Sequence, residues 1–493
     1  MAFNSYNFMI FFPVVVGIYL IIPRKIRYIW LLVCSYYFYM CWNPKYAILI
    51  AISTIITYIS GILLEKVHTC SAKKWIVAGS FVINIGILVF FKYTNFIITS
   101  LNLIFNRIHI NQIPAIDILL PVGISFYTFQ ALSYTIDVYR GNVKTEKNIL
   151  KYALFVVFFP QLVAGPIERS ENLLLQIRNN YKFNLWNKDN FYHGLTLMLW
   201  GFFQKLVIAD RISIFVDNVY SSFWMYGTVE LVLATVFFAI QIYCDFGSYS
   251  LIAIGAAKVM GFELMENFNT PYFAETIKDY WRRWHISLST WFKDYLYIPL
   301  GGSRCSRLKK YRNIMITFLI SGLWHGASWS FIVWGGLHGI YQVMSDILAP
   351  LKDIISKKIK INKECMSYHL GRIFVTFMLT SFAWIFFRMN SLSNAVEFIK
   401  RMFTRPNFWV LHDQSLFNVG LDRIEMEVLF VSLLILIIVD IVKYKYKITI
   451  DKYLQMQNLW FRWGMIIFIL VWTVIFGIYG PAYDPAQFIY FQF

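Results

Sequence analysis

Charge is what this chain of 493 residues has least of: only 15% of positions are Asp, Glu, Lys or Arg, and just 27 of them are acidic. An ordinary soluble domain carries about 25% charged residues and roughly 45–50% apolar ones. With 58% hydrophobic and 19% aromatic residues, the composition excludes a soluble globular protein and equally a disordered one. Cysteine is sparse, with six in the whole chain and no C-x-x-C pair, which excludes a disulfide-stapled scaffold. There is no GxxxxGK[ST] loop, no HExxH and no carboxylate pair inside an apolar run, so ATP-driven pumping and zinc hydrolysis lack their residues, and no metal site is expected. No internal repeat marks a transporter with inverted halves. Lys and Arg are also missing ahead of the first apolar run, and no small-residue cleavage site follows it, so Ala2 to Pro23 reads as a retained helix and not as a cleaved signal peptide.

What the chain does have is long uncharged stretches. A bilayer crossing needs roughly 20 apolar residues. Such runs, several shorter than a full span, lie at Ala2–Pro23, Tyr28–Pro44, Tyr46–Leu64, Trp75–Phe91, Ile118–Ile136, Tyr152–Ile167, Asn190–Gln204, Leu231–Cys244, Asn313–Ser345, Ile373–Phe387, Val428–Val439 and Trp463–Tyr483. They predict an all-α polytopic membrane protein with about eleven transmembrane helices, the shorter runs being tilted or re-entrant segments shielded by protein. Residues 1–493 read as one integral membrane domain, with 118–345 as the catalytic core expected within it. The net charge of +18 would point to nucleic acid if the cations did not flank apolar runs. Arg24, Lys25 and Arg27, then Lys66, Lys73 and Lys74, then Lys443, Lys445, Lys447 and Lys452 mark cytoplasmic loops by the positive-inside rule, with both termini outside. Lys278 to Arg312 and Lys352 to Lys363 are expected at the cytoplasmic face or against anionic headgroups.

Two histidines stand out by position. His285 sits in the stretch Tyr280 to Gly302, where Trp281, Trp284 and Trp291 interleave with Arg282, Arg283, Lys293 and Asp294, an interfacial composition. His325 sits in Ser321-Gly-Leu-Trp-His-Gly-Ala327, inside the uncharged run Asn313–Ser345. An ionisable group there is costly and marks a functional site by default. That run is about 33 residues, too long for one straight crossing, and predicts a helix, a break near Gly322 or Gly326, and a second helix. The small residues around the histidine leave room for a substrate or for close helix packing. His338, in Gly335-Gly-Leu-His-Gly339, is a second candidate for the same role, and spacing alone does not choose between them. A neutral imidazole suits the deprotonation of a hydroxyl, and acyl transfer from a thioester needs little more.

These residues resemble the membrane-bound O-acyltransferase (MBOAT) family, and within it the bacterial alginate O-acetylation branch. The resemblance rests on Tyr280 to Gly302, Ser321 to Ala327, Pro121 to Arg140, Phe159 to Arg169, Ile242 to Tyr249 and Phe488 to Phe493, in order along most of the chain. It implies a central funnel or tunnel through which acetyl passes from cytoplasmic acetyl-CoA to a hydroxyl outside, with no bound cofactor. It implies His325 as general base and His285 as the residue that positions the donor or stabilises the oxyanion. Trp281, Arg282, Arg283, Trp284, Ser321 and Trp324 form the candidate substrate-binding set; the two arginines meet either the phosphates of a CoA-like donor or lipid headgroups. Glu168 with Arg169, and Asp245, are expected in structural ion pairs or at helix ends. The implied setting is a bacterial cytoplasmic membrane. Its implied partners are lipid, the thioester donor and an extracytoplasmic SGNH-hydrolase-like protein, with the aromatic tail after Gly480 near the funnel mouth or anchoring the last helix. D-alanyl transfer to teichoic acids is the neighbouring alternative, and a transporter without acyl-transfer chemistry is the alternative from another class.

Overall fold

Uncharged runs with no water to hydrogen-bond their backbones fold as helices, because a helix satisfies its own N–H and C=O groups. In the computed structural model, which describes residues 1–163, 165–179 and 187–480, every regular element is helical. The contacts divide into two units.

The first unit takes in the described residues of Met1–Met198 and Tyr249–Met265. Its main helices are α1 (Tyr6–Ile21), α2 (Arg27–Met40), α3 (Tyr46–Lys66), α4 (Cys70–Arg107), α5 (Ile124–Arg140) and α6 (Ile149–Val157). Their ends carry local signals. The Ser5 hydroxyl accepts from Phe8 N–H at the start of α1, and Asn148 Oδ1 accepts from Leu150 and Lys151 N–H at the start of α6, each satisfying first-turn donors that have no partner within the helix. Between apolar helices, polar side chains supply the specific contacts. Ser53 on α3 donates to Asn84 on α4 (2.6 Å), and Tyr152 on α6 donates to Thr57 on α3 (2.7 Å). Glu168 is fully buried and accepts from Met265 N–H (2.6 Å) and Asn172 (2.8 Å).

The second unit takes in the described residues of Leu199–Ser248 and Glu266–Asp484. A long helix, α7 (Thr228–Val259), contributes its first part. It is followed by two short helices, α8 (Ile277–Arg283) and α9 (Ile286–Phe292), and then by α10 (Arg307–His325), α11 (Trp329–Ile347), α12 (Met366–Arg388), α13 (Arg423–Tyr446) and α14 (Leu459–Phe476). A capping box closes the start of α13: Asp422 accepts from Glu425 N–H while Glu425 accepts from Asp422 N–H. Deep in this unit Lys205 bridges Asp245 (2.5 Å) and Asp210 (2.8 Å), all three side chains under 5% exposed. Buried charge of this kind persists only when paired.

The overlong run becomes α10 and α11, and its break falls at Gly326–Ser328. Gly322 does not break the helix. It lies at the crossing with α11, where a Cβ would stand 2.2 Å from the Phe331 carbonyl oxygen and 3.3 Å from Gly335 Cα. A side chain on either glycine would hold the two helices apart.

Five helices among the described residues are long and apolar enough to cross a membrane: α3, α4, α7, α12 and α14. Large apolar side chains such as Trp460 (88% exposed) and Val82 (72%) have no protein cover. In water a surface so apolar would be an aggregation hazard, whereas acyl chains solvate it. The aromatic tail after Gly480 lies outside the described residues.

Candidate active site

The site lies within the second unit. Its first histidine is placed by a short backbone pairing: Asn269 N–H donates to the Arg283 carbonyl and Ile286 N–H donates to the Asn267 carbonyl, both at 2.9 Å. This holds His285 immediately ahead of α9 with φ 43° and ψ 54°. A non-glycine residue in the left-handed region costs free energy and persists only where its surroundings over-determine it. His285 has no exposed surface, and its Nδ1 lies 3.2 Å from Asn267 Oδ1. The Phe246 ring packs edge-on against it at 4.7 Å. His285 lies outside every apolar run of spanning length, and burial pushes its imidazole down to about 3, so it is neutral at any physiological pH.

His325 is the last residue of α10, where the chain breaks at Gly326. It is 4% exposed. Its ring centroid is 6.3 Å from that of His285, and Trp324 lies against both, at 5.0 Å from His325 and 6.2 Å from His285. Trp334 from α11 (5.0 Å) and Phe387 from α12 (5.5 Å) complete an aromatic box around it. Two imidazoles that are 40 positions apart in the chain (325 − 285) are thus neighbours in an apolar enclosure. Such a place suits proton transfer between neutral groups, because water does not compete for their hydrogen bonds.

His338 is also fully buried but engaged elsewhere: its Nδ1 accepts from the Trp281 indole N–H at 3.2 Å. The rest of the predicted set divides. Trp281 and Trp284 are buried, Trp284 stacking on Tyr280 at 5.5 Å. Ser321 is buried one turn before His325. Arg283 is held by Asp279 (2.9 Å) and Thr270 (3.3 Å), with its guanidinium over Tyr444. Arg282 is exposed. Asp245 is the partner of Lys205, and the next residue is the Phe246 that packs on His285. Among the described residues no group of three or more His, Cys, Asp and Glu side chains is placed to hold a metal ion.

Sequence reasoning passed over Asn267, Phe246, Trp334 and Phe387. The three aromatics carry no distinguishing pattern in a chain with 46 Phe, 17 Trp and 32 Tyr. Asn267 had one usable signal: a buried histidine needs a polar partner, and Asn267 and Asn269 are uncharged polar residues just ahead of the His285 stretch.

The model of the MBOAT, membrane-bound O-acyltransferase family, matches residues 142–393, which contain this whole constellation. The chain is 37% identical over 416 residues to a protein of Azotobacter vinelandii named probable alginate O-acetylase, covering 84% of this chain and 80% of that one. It is 34% identical over 399 residues to the peptidoglycan O-acetyltransferase of Helicobacter pylori, covering 76% and 73%. Similarity to the teichoic acid D-alanyltransferase of Bacillus subtilis is lower, at 28% over 241 residues, covering 44% and 57%.

Proposed function

The chain belongs to the membrane-bound O-acyltransferase family, and from that premise we propose that it moves acetyl from cytoplasmic acetyl-CoA toward hydroxyls of an extracytoplasmic polysaccharide, in a bacterial cytoplasmic membrane. The observation that carries the reading is the approach of His285 and His325 to 6.3 Å in an aromatic enclosure. With the ring centroids this close, both imidazoles border one small enclosed space in which a single reacting group can be addressed by both.

His325 acts as general base. Its unprotonated nitrogen takes the proton of the acceptor hydroxyl as the oxygen attacks the thioester carbonyl. The new C–O bond forms, the C–S bond breaks, and the proton passes from the imidazolium to the departing thiolate, giving an ester and free CoA thiol. His285 positions the donor or stabilises the oxyanion. Trp281, Trp284, Ser321 and Trp324 form the wall that keeps water out. Arg282 meets the donor phosphates, a reading supported by its being exposed where Arg283 is held by Asp279. The shorter apolar helices complete about eleven crossings of a single domain around a central funnel, with 118–345 as its core. An SGNH-hydrolase-like protein outside the membrane finishes transfer to the sugar.

Acetyl is preferred over D-alanyl because the O-acetylating relatives match most of the chain and the D-alanylating ones less than half to a little over half of it. Mass spectrometry of the acid released by mild base from the envelopes of deletion and complemented strains tests this directly. Acetate restored by complementation is the expected result; D-alanine restored in its place would overturn the choice of acyl group.

A further inference from the structure

The geometry points to Asn267 as a positioning residue that fixes the proton of His285 on Nδ1 and so leaves Nε2 as a hydrogen-bond acceptor. The inference rests on the acyltransferase reading above and adds to it a tautomer and the residue that sets it.

The chemistry of Asn267 Oδ1 leaves little freedom. Three groups converge on this one atom: Ser287 Oγ at 2.8 Å, Ser287 backbone nitrogen at 3.3 Å and His285 Nδ1 at 3.2 Å. A backbone N–H only donates, so the atom it meets must be an acceptor. That excludes the flipped amide, in which an NH2 group would face the Ser287 N–H. An amide oxygen in turn has no hydrogen to give, so the only attractive contact with Nδ1 is one in which Nδ1 carries the proton. Asn267 is itself 1% exposed and His285 has no exposed surface, so water does not offer either a substitute. A buried imidazole kept neutral by desolvation bears a single proton. With that proton on Nδ1, Nε2 presents a lone pair.

The opposite arrangement occurs in the same unit. The Trp281 indole N–H can only donate, and it donates to Nδ1 of His338. A neutral His338 therefore carries its proton on Nε2. The two buried histidines expose chemically different nitrogens, each through the nature of one neighbour.

For catalysis this decides between the two tasks open to His285. A neutral Nε2 lone pair does not donate to a developing oxyanion. It accepts, and so holds an amide N–H of the thioester donor in line while His325 removes the proton of the acceptor hydroxyl. The backbone strain at His285 fits this reading, since φ 43° is what lets the ring reach back to Asn267 while its own carbonyl starts α9.

The test uses the full-length protein in native membranes, which supply the acceptor, and follows transfer of label from [14C]acetyl-CoA between pH 5 and 9. In Asn267→Asp the carboxylate still accepts from Ser287 and from Nδ1–H, but its charge favours the imidazolium. Because burial holds the wild-type His285 imidazole near 3, its protonation lies below this window; the carboxylate of Asn267→Asp should bring it into the window and lower the rate at the acid end relative to wild type, with the rate on the alkaline side within about threefold of wild type. Asn267→Ala should lose about 10- to 100-fold at every pH, because neither tautomer nor ring orientation is then held. Ser287→Ala removes a partner of Asn267 and leaves the histidine contact intact; it should stay within about threefold of wild type and show no such loss at the acid end. An Asn267→Asp profile that superimposes on wild type overturns the assignment, as does Asn267→Ala at the wild-type rate or Ser287→Ala matching its loss. If Asn267→Ala does not accumulate, the Asn267→Asp profile still decides. Failure of the acyltransferase reading looks different: wild-type membranes would then transfer no label.

Discussion

Gly322→Ala adds one methyl group to a residue that takes no part in the proposed chemistry, yet the structure assigns it a large effect on rate. The new Cβ would stand 2.2 Å from the Phe331 carbonyl oxygen, a backbone atom that no rotamer change can move, and 3.3 Å from Gly335 Cα. Ordinary contact distances are about 3.5 Å, so α10 and α11 would have to separate by roughly 1.3 Å at the crossing. Overpacking of this kind costs about 1–3 kcal/mol, which a protein of this size survives. His325 lies three residues further on, at the end of the displaced helix, while His285 is anchored separately through Asn267. A shift of about 1 Å between reacting groups costs on the order of 100-fold in rate. The variant should therefore insert and melt within a few degrees of wild type in detergent but restore little envelope O-acetylation in a deletion strain. Gly17→Ala, in α1 with nothing within 4 Å of the added Cβ, is the matched control and should behave as wild type. If Gly322→Ala supported wild-type acetylation, the claim that this crossing sets the position of His325 would be refuted.

Two further outcomes follow from buried polar contacts. Lys205→Met leaves Asp210 and Asp245 buried without their cation and should destabilise by about 3–5 kcal/mol; the triple variant with Asp210→Asn and Asp245→Asn should recover most of the melting temperature, and no loss in the single variant would contradict the buried pairing. Trp281→Phe keeps the aromatic wall but removes the donor to His338, so it should lower stability by about 1–3 kcal/mol while leaving KM for acetyl-CoA within about threefold; a large rise in KM with unchanged stability would make Trp281 a substrate contact instead.

Parts of this architecture are legible in the sequence because they depend on local composition. An uncharged run of about 33 residues cannot be one straight crossing, and it becomes two helices with the break beside His325. The glycines there were readable as a close crossing or as room for substrate; Gly322 and Gly335 do the former. Charge was a poorer guide to helix ends. The apolar run Trp75–Phe91 stops at Lys92, but α4 continues to Arg107, because the Lys92 ammonium reaches Ser125 (3.4 Å) without interrupting the backbone ladder. The proximity of His285 and His325, the pairing of Trp281 with His338 and the grip of Asn267 on His285 were not legible, because each joins residues 18 to 57 positions apart through tertiary folding. Two adjacent arginines that look alike in sequence also differ in the fold, since only Arg283 finds Asp279 on the same helix face four residues back.

Everything proposed for this site turns on His325 removing the acceptor proton. The most direct measurement compares wild type with His325→Gln, which keeps a polar side chain of similar reach but cannot take up a proton, in native membranes supplied with [14C]acetyl-CoA at saturating concentration. His325→Gln should melt near the wild-type temperature and transfer acetyl about 10²- to 10⁴-fold more slowly. A folded, membrane-inserted His325→Gln protein that transfers acetyl at the wild-type rate would contradict that role.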